Sequence, residues 1–421
     1  MKQMIAKTVL GTVFLASGAN AQVPAAEWEQ FKAQFAAISE RVRVLEIENQ
    51  TLRESSQHAI KVEDLAATNA EVATLKKQNT ESSWADRIAW KGDYRFRYEE
   101  IDQQGRDDRE RYRIRARPSL VAKVSDTTEV GFGLATGNDD PVSSNQTLGG
   151  GGNSKDIKLD LAYATWTGLP GASITAGKFV NPYYTVQKSQ LIFDGDFRPE
   201  GVAANWANDM FFAHTSFSFI ESDSSRTGKD NYGVLAAQLG TILTPFDGTK
   251  LTVSAGYIDI PTEGEKAIYD DEFFGNSSVI VDGVEVYEYD YKLVTASVDF
   301  GLTVFDLPLN IYADYVENQD VDDLGTGYLA GIKLGSAKKK GTWQMEYQYE
   351  KLDANATLGV FTNSDFAGGG TDGKGSSISA QYAIGDQWYV GSTYFFDNKV
   401  GFKLGDNANY DRFQLDTGFK Y

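Results

Sequence analysis

IAWKGDYRFRYEEI, running from Ile88 to Ile101, decides how the rest of the chain is read. Ile88, Trp90, Tyr94, Phe96 and Tyr98 occupy even positions, while Lys91, Asp93, Arg95, Arg97 and Glu99 occupy odd ones. Successive side chains of a strand point to opposite faces, so the stretch predicts a strand with one aromatic and one charged face. A soluble sheet would turn the aromatic face to a core. A closed barrel in lipid would turn it outward and leave the charges in a wet lumen.

The residues downstream favour the barrel. Tyr112, Ile114, Ala116 and Leu120 alternate with Arg111, Arg113, Arg115 and Arg117. The pattern returns at Leu159, Leu161 and Tyr163, at Leu251, Val253, Ala255 and Tyr257, and at Trp343, Met345, Tyr347 and Tyr349. Short turns (Gly168 to Gly171, Gly385 to Gln387) alternate with long polar loops (Gly137 to Lys155, Pro261 to Gly283, Asp353 to Gly375). That asymmetry belongs to outer-membrane barrels, which have short turns on one side and long loops on the other. The spacing predicts about 16 strands after Asp86, an even number that suits antiparallel closure. A soluble sandwich or propeller would have to explain recurrent aromatic faces with no helix to cover them.

Composition agrees. Among 421 residues there are 41 glycines, 22 tyrosines and 24 phenylalanines but no cysteine, which removes disulfides and thiolate chemistry. A formal charge of −19 argues against a nucleic-acid partner, which would want a basic surface. Met1 to Ala21 carries Lys2 and Lys7, then an apolar stretch, then Ala19-Asn20-Ala21, which reads as an export signal.

From Trp28 onward, Phe31, Phe35, Ile38, Val42, Leu45, Asn49 and Leu52 follow alternating spacings of three and four, a heptad seam. Asn49 sits at an a position, where a polar side chain specifies register and oligomer number. A weaker stripe resumes at Val62, Leu65 and Val72, and Gln78 to Trp84 reads as a linker. A helix over these residues would reach on the order of 80 Å. An amphipathic helix packed on its own domain is the alternative to a coiled coil. The last strand alternates Phe413, Leu415, Thr417, Phe419 and Tyr421 with Arg412, Gln414, Asp416 and Lys420.

With these features in hand, the chain resembles the bacterial putative porin family. The stretches that carry the likeness are GDYRFRYE, RDDRERYRIRARPSL, LATGNDDPVSSNQTLGG, KDIKLDLAYATWT, AGKFVNPYY and FDGDFRPEG. They cover roughly residues 84 to 240, and the remainder follows by pattern. The resemblance implies a trimeric, 16-stranded, water-filled channel in the outer membrane of a Gram-negative bacterium. Phe419 and Tyr421 resemble the terminal signal read by the barrel assembly machinery, with tyrosine where phenylalanine is more usual. The expected fold class is therefore an all-β transmembrane antiparallel β-barrel preceded by an α-helical coiled coil. Residues 1–21 form the signal peptide, 22–83 the periplasmic coil and linker, and 84–421 the barrel.

In a barrel this wide the inward residues set the pore. Arg95, Arg97, Arg111, Arg113, Arg115 and Arg117 share one face and are expected to form a basic wall. Asn181 to Glu200 follows the fifth strand, where the resemblance to porins implies a loop folded inward, and it would present Asp194, Asp196 and Glu200 to that wall. The competing reading pairs the arginines with Asp93, Glu99, Asp107 and Asp108. Phe35, Ile38, Val42, Leu45, Asn49 and Leu52 are the expected oligomerisation seam of a homotrimer whose partners are outer-membrane lipid and the cell wall's peptidoglycan.

No cofactor or metal is expected, because the acid clusters at Asp139-Asp140, Asp270 to Glu272 and Asp320 to Asp323 do not fit a calcium loop. The two histidines are His58 and His214. Only His214, with Ser216 on the same face of its strand, could serve a hydrolase. The expected function is passive diffusion of small hydrophilic solutes and ions. The rival functions are a plugged anchor, a narrow substrate-specific channel and a barrel hydrolase.

Overall fold

A computed structural model describes residues 25–59, 68–74, 87–223 and 231–421. The export signal at 1–21, Val62, Leu65 and the linker lie outside the described residues. The chain divides into two units, Met1–Ser83 and Trp84–Tyr421.

The described part of the first unit is helical: α1 (Ala25–Ala59) and a shorter stretch at 68–74. Ion pairs three residues apart, Glu29–Lys32 and Glu40–Arg43, run along its polar surface. Phe35, Ile38, Val42, Leu45 and Leu52 all stand exposed, so the apolar seam is uncovered in the single chain.

The second unit is a closed antiparallel barrel. Its strands are β1 (Ile88–Gln103), β2 (Arg109–Ser125), β3 (Thr128–Thr136), β4 (Ile157–Trp166), β5 (Ala172–Lys178), β6 (Glu200–Ala207), β7 (Phe211–Glu221) and β8 (Tyr232–Leu243). They continue with β9 (Lys250–Ile260), β10 (Tyr291–Val304), β11 (Leu307–Asn318), β12 (Thr326–Gly335), β13 (Trp343–Leu352), β14 (Gly373–Gly385), β15 (Trp388–Val400) and β16 (Ala408–Lys420). Each pairs with its neighbours in sequence, and β1 pairs with β16, from Asp93 opposite Lys420 to Gln103 opposite Tyr410. These are the 16 strands the alternation predicts. A two-residue strand, Gln146–Thr147, leans on β2, and a separate hairpin, Ser278–Val281 with Val284–Tyr287, sits in the loop after β9.

Turns such as 126–127, 305–306 and 386–387 close one end, which also holds the start of β1 and the finish of β16. Long connections at 137–156, 179–199, 261–290 and 353–372 crowd the other. On the outer face Trp90, Trp166, Trp206, Trp343 and Trp388 ring the turn end, and Tyr112, Phe219, Tyr315 and Tyr328 ring the loop end. Exposed Val253, Val298, Ile311 and Ile332 lie between. Two aromatic girdles around an aliphatic band match the roughly 25 Å of hydrocarbon a barrel must face.

The β3–β4 pair shows what a departure from simple alternation does. A register shift at Gly133/Leu134 sets Leu161 opposite Gly133 and Tyr163 opposite Gly131, both inward glycines, while Leu159 stays outward. A Cβ on Gly131 would stand 2.2 Å from the Tyr163 ring, so the ring lies flat over a residue that must be glycine.

The interior is divided. At the loop end of β8 to β13, Val234, Ile258, Ile260, Leu293, Val316, Leu329 and Leu352 point inward and are buried. A lumen lined so would be poorly wetted. Val186, Leu191 and Phe193 from the loop after β5, with Leu358, Val360 and Phe361 from the loop after β13, fold inside and cover it. The chain has thereby built a hydrophobic core within the barrel. Each fully buried large side chain contributes about 1.5–3 kcal/mol.

Candidate functional site

Opposite that core stands a charged wall. Period-2 alternation turns Arg95 and Arg97 of β1 and Arg111, Arg113, Arg115 and Arg117 of β2 inward together. The register sets Arg95 opposite Arg115 and Arg97 opposite Arg113. Like charges directly across a ladder repel, so the wall needs anions brought to it. Three sources supply them.

The strands themselves give Asp93, which receives Arg117 Nε at 2.9 Å and Arg115 Nε at 3.1 Å. They also give Glu99, which is fully buried and shared by Arg111, Arg113 (3.5 Å) and Arg412 (2.5 Å). Neighbouring β16 adds Asp416, which accepts both Nε and Nη2 of Arg97, at 2.7 and 2.8 Å. The inward loops add Asp196, which accepts Arg117 Nη1 at 2.5 Å and lies 3.5 Å from Arg115. They add Asp365 as well, which meets Arg97 at 2.8 Å and Arg412 at 2.7 Å. Seven arginines, counting Arg412, face five carboxylates: Asp93, Glu99, Asp196, Asp365 and Asp416.

Both sequence readings of the arginines are therefore present at once. Asp93 and Glu99 do pair with them, and so does an acid of the loop after β5. Asp194 and Asp196 sit in that loop as expected, but only Asp196 meets the wall. Glu200 does not join them: it is the first residue of β6, exposed, and bonded to Lys178 at 2.6 Å. Sequence reasoning missed Arg412, Asp416 and Asp365. The first two alternate inward on the last strand, and the closure of β1 against β16 is the signal that could have found them.

Asp194 instead joins the two inward loops. Its backbone N–H donates to the Phe361 carbonyl at 2.7 Å, and its Oδ2 accepts the N–H and hydroxyl of Ser364 at 3.0 and 3.1 Å. The Phe197 and Phe361 rings lie 4.5 Å apart beside it. Burial, with the nearby negative charge of Asp196, pushes the Asp194 carboxyl up to about 7. Although burial works against Asp196 too, Arg115, Arg117 and the Ser144 hydrogen bonds hold it down to about 2. Burial also opposes ionisation of Asp365, but Arg412, Arg97 and Arg95 hold its carboxyl well below the usual range.

The loop after β9 locks the arrangement. Asn276 Nδ2 donates to the carbonyls of Ala354 and Thr357 at 2.7 and 2.8 Å, and its Oδ1 accepts the Gly359 N–H at 2.7 Å. Buried amides satisfied on every side rigidify the segments they join. Two cavities of about 290 and 580 Å³ remain at the loop end, the first over Arg111, Arg113 and Arg412, the second beside Asp160, Asp196 and Arg198.

His214 is held as a packing residue. Its Nδ1 lies 2.7 Å from Asn205 Oδ1, and its ring lies edge-on to Tyr183. The Ser216 hydroxyl is bonded to the Tyr183 hydroxyl at 2.6 Å rather than to the imidazole. The His58 side chain lies outside the described residues. No group of three His, Cys, Asp or Glu capable of holding a metal occurs among the described residues.

Residues 102–267 and 266–421 match the family described as putative porin. No curated protein matches the chain. Among solved structures, the chain is similar to OprB of Pseudomonas putida, at 10% identity, with 82% of this chain and 97% of that one covered and a TM-score of 0.53. It is similar also to the trimer form of OmpT, an outer membrane protein of Vibrio cholerae, at 14% identity over 79% of this chain and 99% of that one, with a TM-score of 0.46. Salmonella typhi OmpF in complex with daunomycin gives 12% identity, 80% and 99% coverage, and a TM-score of 0.48. At such identities the likeness speaks to the fold.

Proposed function

The chain belongs to the putative porin family, and from that premise we propose that it is an outer-membrane diffusion channel for small hydrophilic solutes and ions, and not an enzyme. The observation that carries the reading is the charged lumen wall, on which the inward arginines are met by strand and loop carboxylates and Arg117 bonds the loop acid Asp196 directly at 2.5 Å. Paired charges of both signs along the lumen wall make a local field that orders polar solutes and passes ions of both signs. Arg95, Arg97, Arg111, Arg113, Arg115 and Arg117 act as its pore lining and Asp196 as the charge of its constriction.

In this reading the barrel sits in the outer membrane with its turn end toward the periplasm, where the helical segment lies. The seam of Phe35, Ile38, Val42, Leu45, Asn49 and Leu52 joins three copies, and the coil approaches the cell wall. Phe419 and Tyr421 serve insertion by the assembly machinery. The two buried inward loops favour a second reading, a narrow channel with a preferred solute.

The deciding experiment is conductance of the purified full chain in a planar bilayer, with the reversal potential measured across a salt gradient. Large steps in groups of three support an open trimeric channel, and small steps support the narrow one. Silence from a folded, heat-modifiable barrel would overturn both.

A further inference from the structure

We infer that the loop end of the arginine wall is a binding site for small organic monoanions, each a carboxylate on a compact apolar body. As a statement about which solute the protein passes, this rests on the channel reading; as a statement about binding, it stands alone. The site is the cavity of about 290 Å³ lined by Arg111, Arg113 and Arg412, with Arg106 and Arg109 at its rim.

Two of its guanidinium groups, those of Arg111 and Arg113, are short of acceptors, whereas Arg412 is also held by Asp365. Arg111, Arg113 and Arg412 converge on one buried carboxylate, Glu99, and Arg113 reaches it only at 3.5 Å. The Nε of Arg111 and of Arg113 has no hydrogen-bond partner. Each guanidinium offers five N–H donors in a planar fork; Arg111 meets Glu99 through Nη2 and Arg113 through Nη1, so an incoming carboxylate is offered the remaining Nη donors.

Two further features narrow the ligand. Apolar side chains share the lining: Val142, Phe274 and Val360 come from the loops, and Ile101 and Tyr410 stand beside Arg412 on the strands. Phosphate or sulfate would leave that surface unmatched, whereas a single ring or short hydrocarbon body covers it at this volume. Asp107, Asp140 and Asp365 also line the cavity. With Glu99 beneath, four acids against five arginines leave one net positive charge, which suits a monoanion and disfavours a dianion. Across from the arginines Gly368, Gly369 and Gly370 all hold positive φ, at 84°, 94° and 87°. The turn that borders the cavity is thus fixed by residues without side chains to fill it.

The test is calorimetric titration of the full chain in detergent with benzoate, benzamide and inorganic phosphate, beside the bilayer measurement. Saturable benzoate binding is expected, with neither benzamide nor phosphate competing. Arg113→Gln should weaken it by about tenfold or more, the size of a lost hydrogen bond to a charged group. Arg113→Lys, which keeps the charge without the fork, should weaken it less, and heat modifiability certifies that both variants fold. Equal binding of benzamide or phosphate, or an unchanged affinity in Arg113→Gln, overturns the site. Benzoate binding by a barrel that carries no current would retain the site and sink the channel reading; current without binding would do the reverse.

Discussion

The two halves of the barrel interior solve opposite problems with the same loops. On the β8–β13 side, inward Ile258, Leu293 and Leu329 need to be covered, and the loops after β5 and β13 bring Leu191, Leu358 and Phe361 to cover them. On the β16–β1–β2 side, inward arginines need to be neutralised, and the same two loops bring Asp196 and Asp365. Each loop is thus apolar toward one wall and anionic toward the other. The difference teaches that the core holds the loops while the charge uses them: dispersion and burial are insensitive to salt, so the acids keep their positions when solute ions screen the wall.

The largest effect should come from breaking the apolar half. Leu358 is fully buried, and Leu358→Asp places a carboxylate there without a partner, at a cost of several kcal/mol. The expected result is a clear fall in the heat-modification midpoint together with larger, noisier current steps, since the loops would leave the lumen.

A smaller change should come from the joint between loops. Asp194 sits at about 7 against an ordinary value near 4, so between those values the folded chain holds a proton that the unfolded chain has released. Stability from this group is present below about pH 4 and is lost as pH rises through 7, to a limit of roughly 4 kcal/mol. Midpoints should therefore be higher at pH 5 than at pH 8, and Asp194→Asn should reduce that difference by the Asp194 share.

The least effect is expected at Glu200, whose exposed pair with Lys178 is worth at most about 1 kcal/mol. Glu200→Gln should leave midpoint and reversal potential alike. A shift in reversal potential as large as that of Asp196→Asn would mean that both acids, not one, face the permeating ions.

Much of this was legible in the sequence for a simple reason. Alternation of Tyr94, Phe96 and Tyr98 with Arg95 and Arg97 is a local property, and a barrel preserves it strand by strand. The inward fold of Asn181 to Glu200 was expected from the resemblance to porins, which fold a loop inward after the fifth strand. The second inward loop was not: residues 353–372 read as polar and glycine-rich, and Leu358, Val360 and Phe361 follow no periodicity, because their burial comes from contacts with strands far off in sequence. The bulge that turns Tyr163 inward escaped for a related reason, since it depends on the partner strand. Arg412 and Asp416 were visible as an inward face, but their company was fixed only by closure.

That closure has a consequence for how the protein is made. Arg97 and Glu99 find Asp416 and Arg412 at sequence separations of 319 and 313 residues. Until the final strand pairs with the first, Arg97 lacks its bidentate carboxylate and Glu99 lacks one of its three arginines. A barrel without its final strand would leave the hydrogen-bonding edge of β1 open, and hydrocarbon offers that edge no partner. The seam between first and last strands thus couples the charge pairing of the lumen to the closing of the sheet, so that neither is complete without the other.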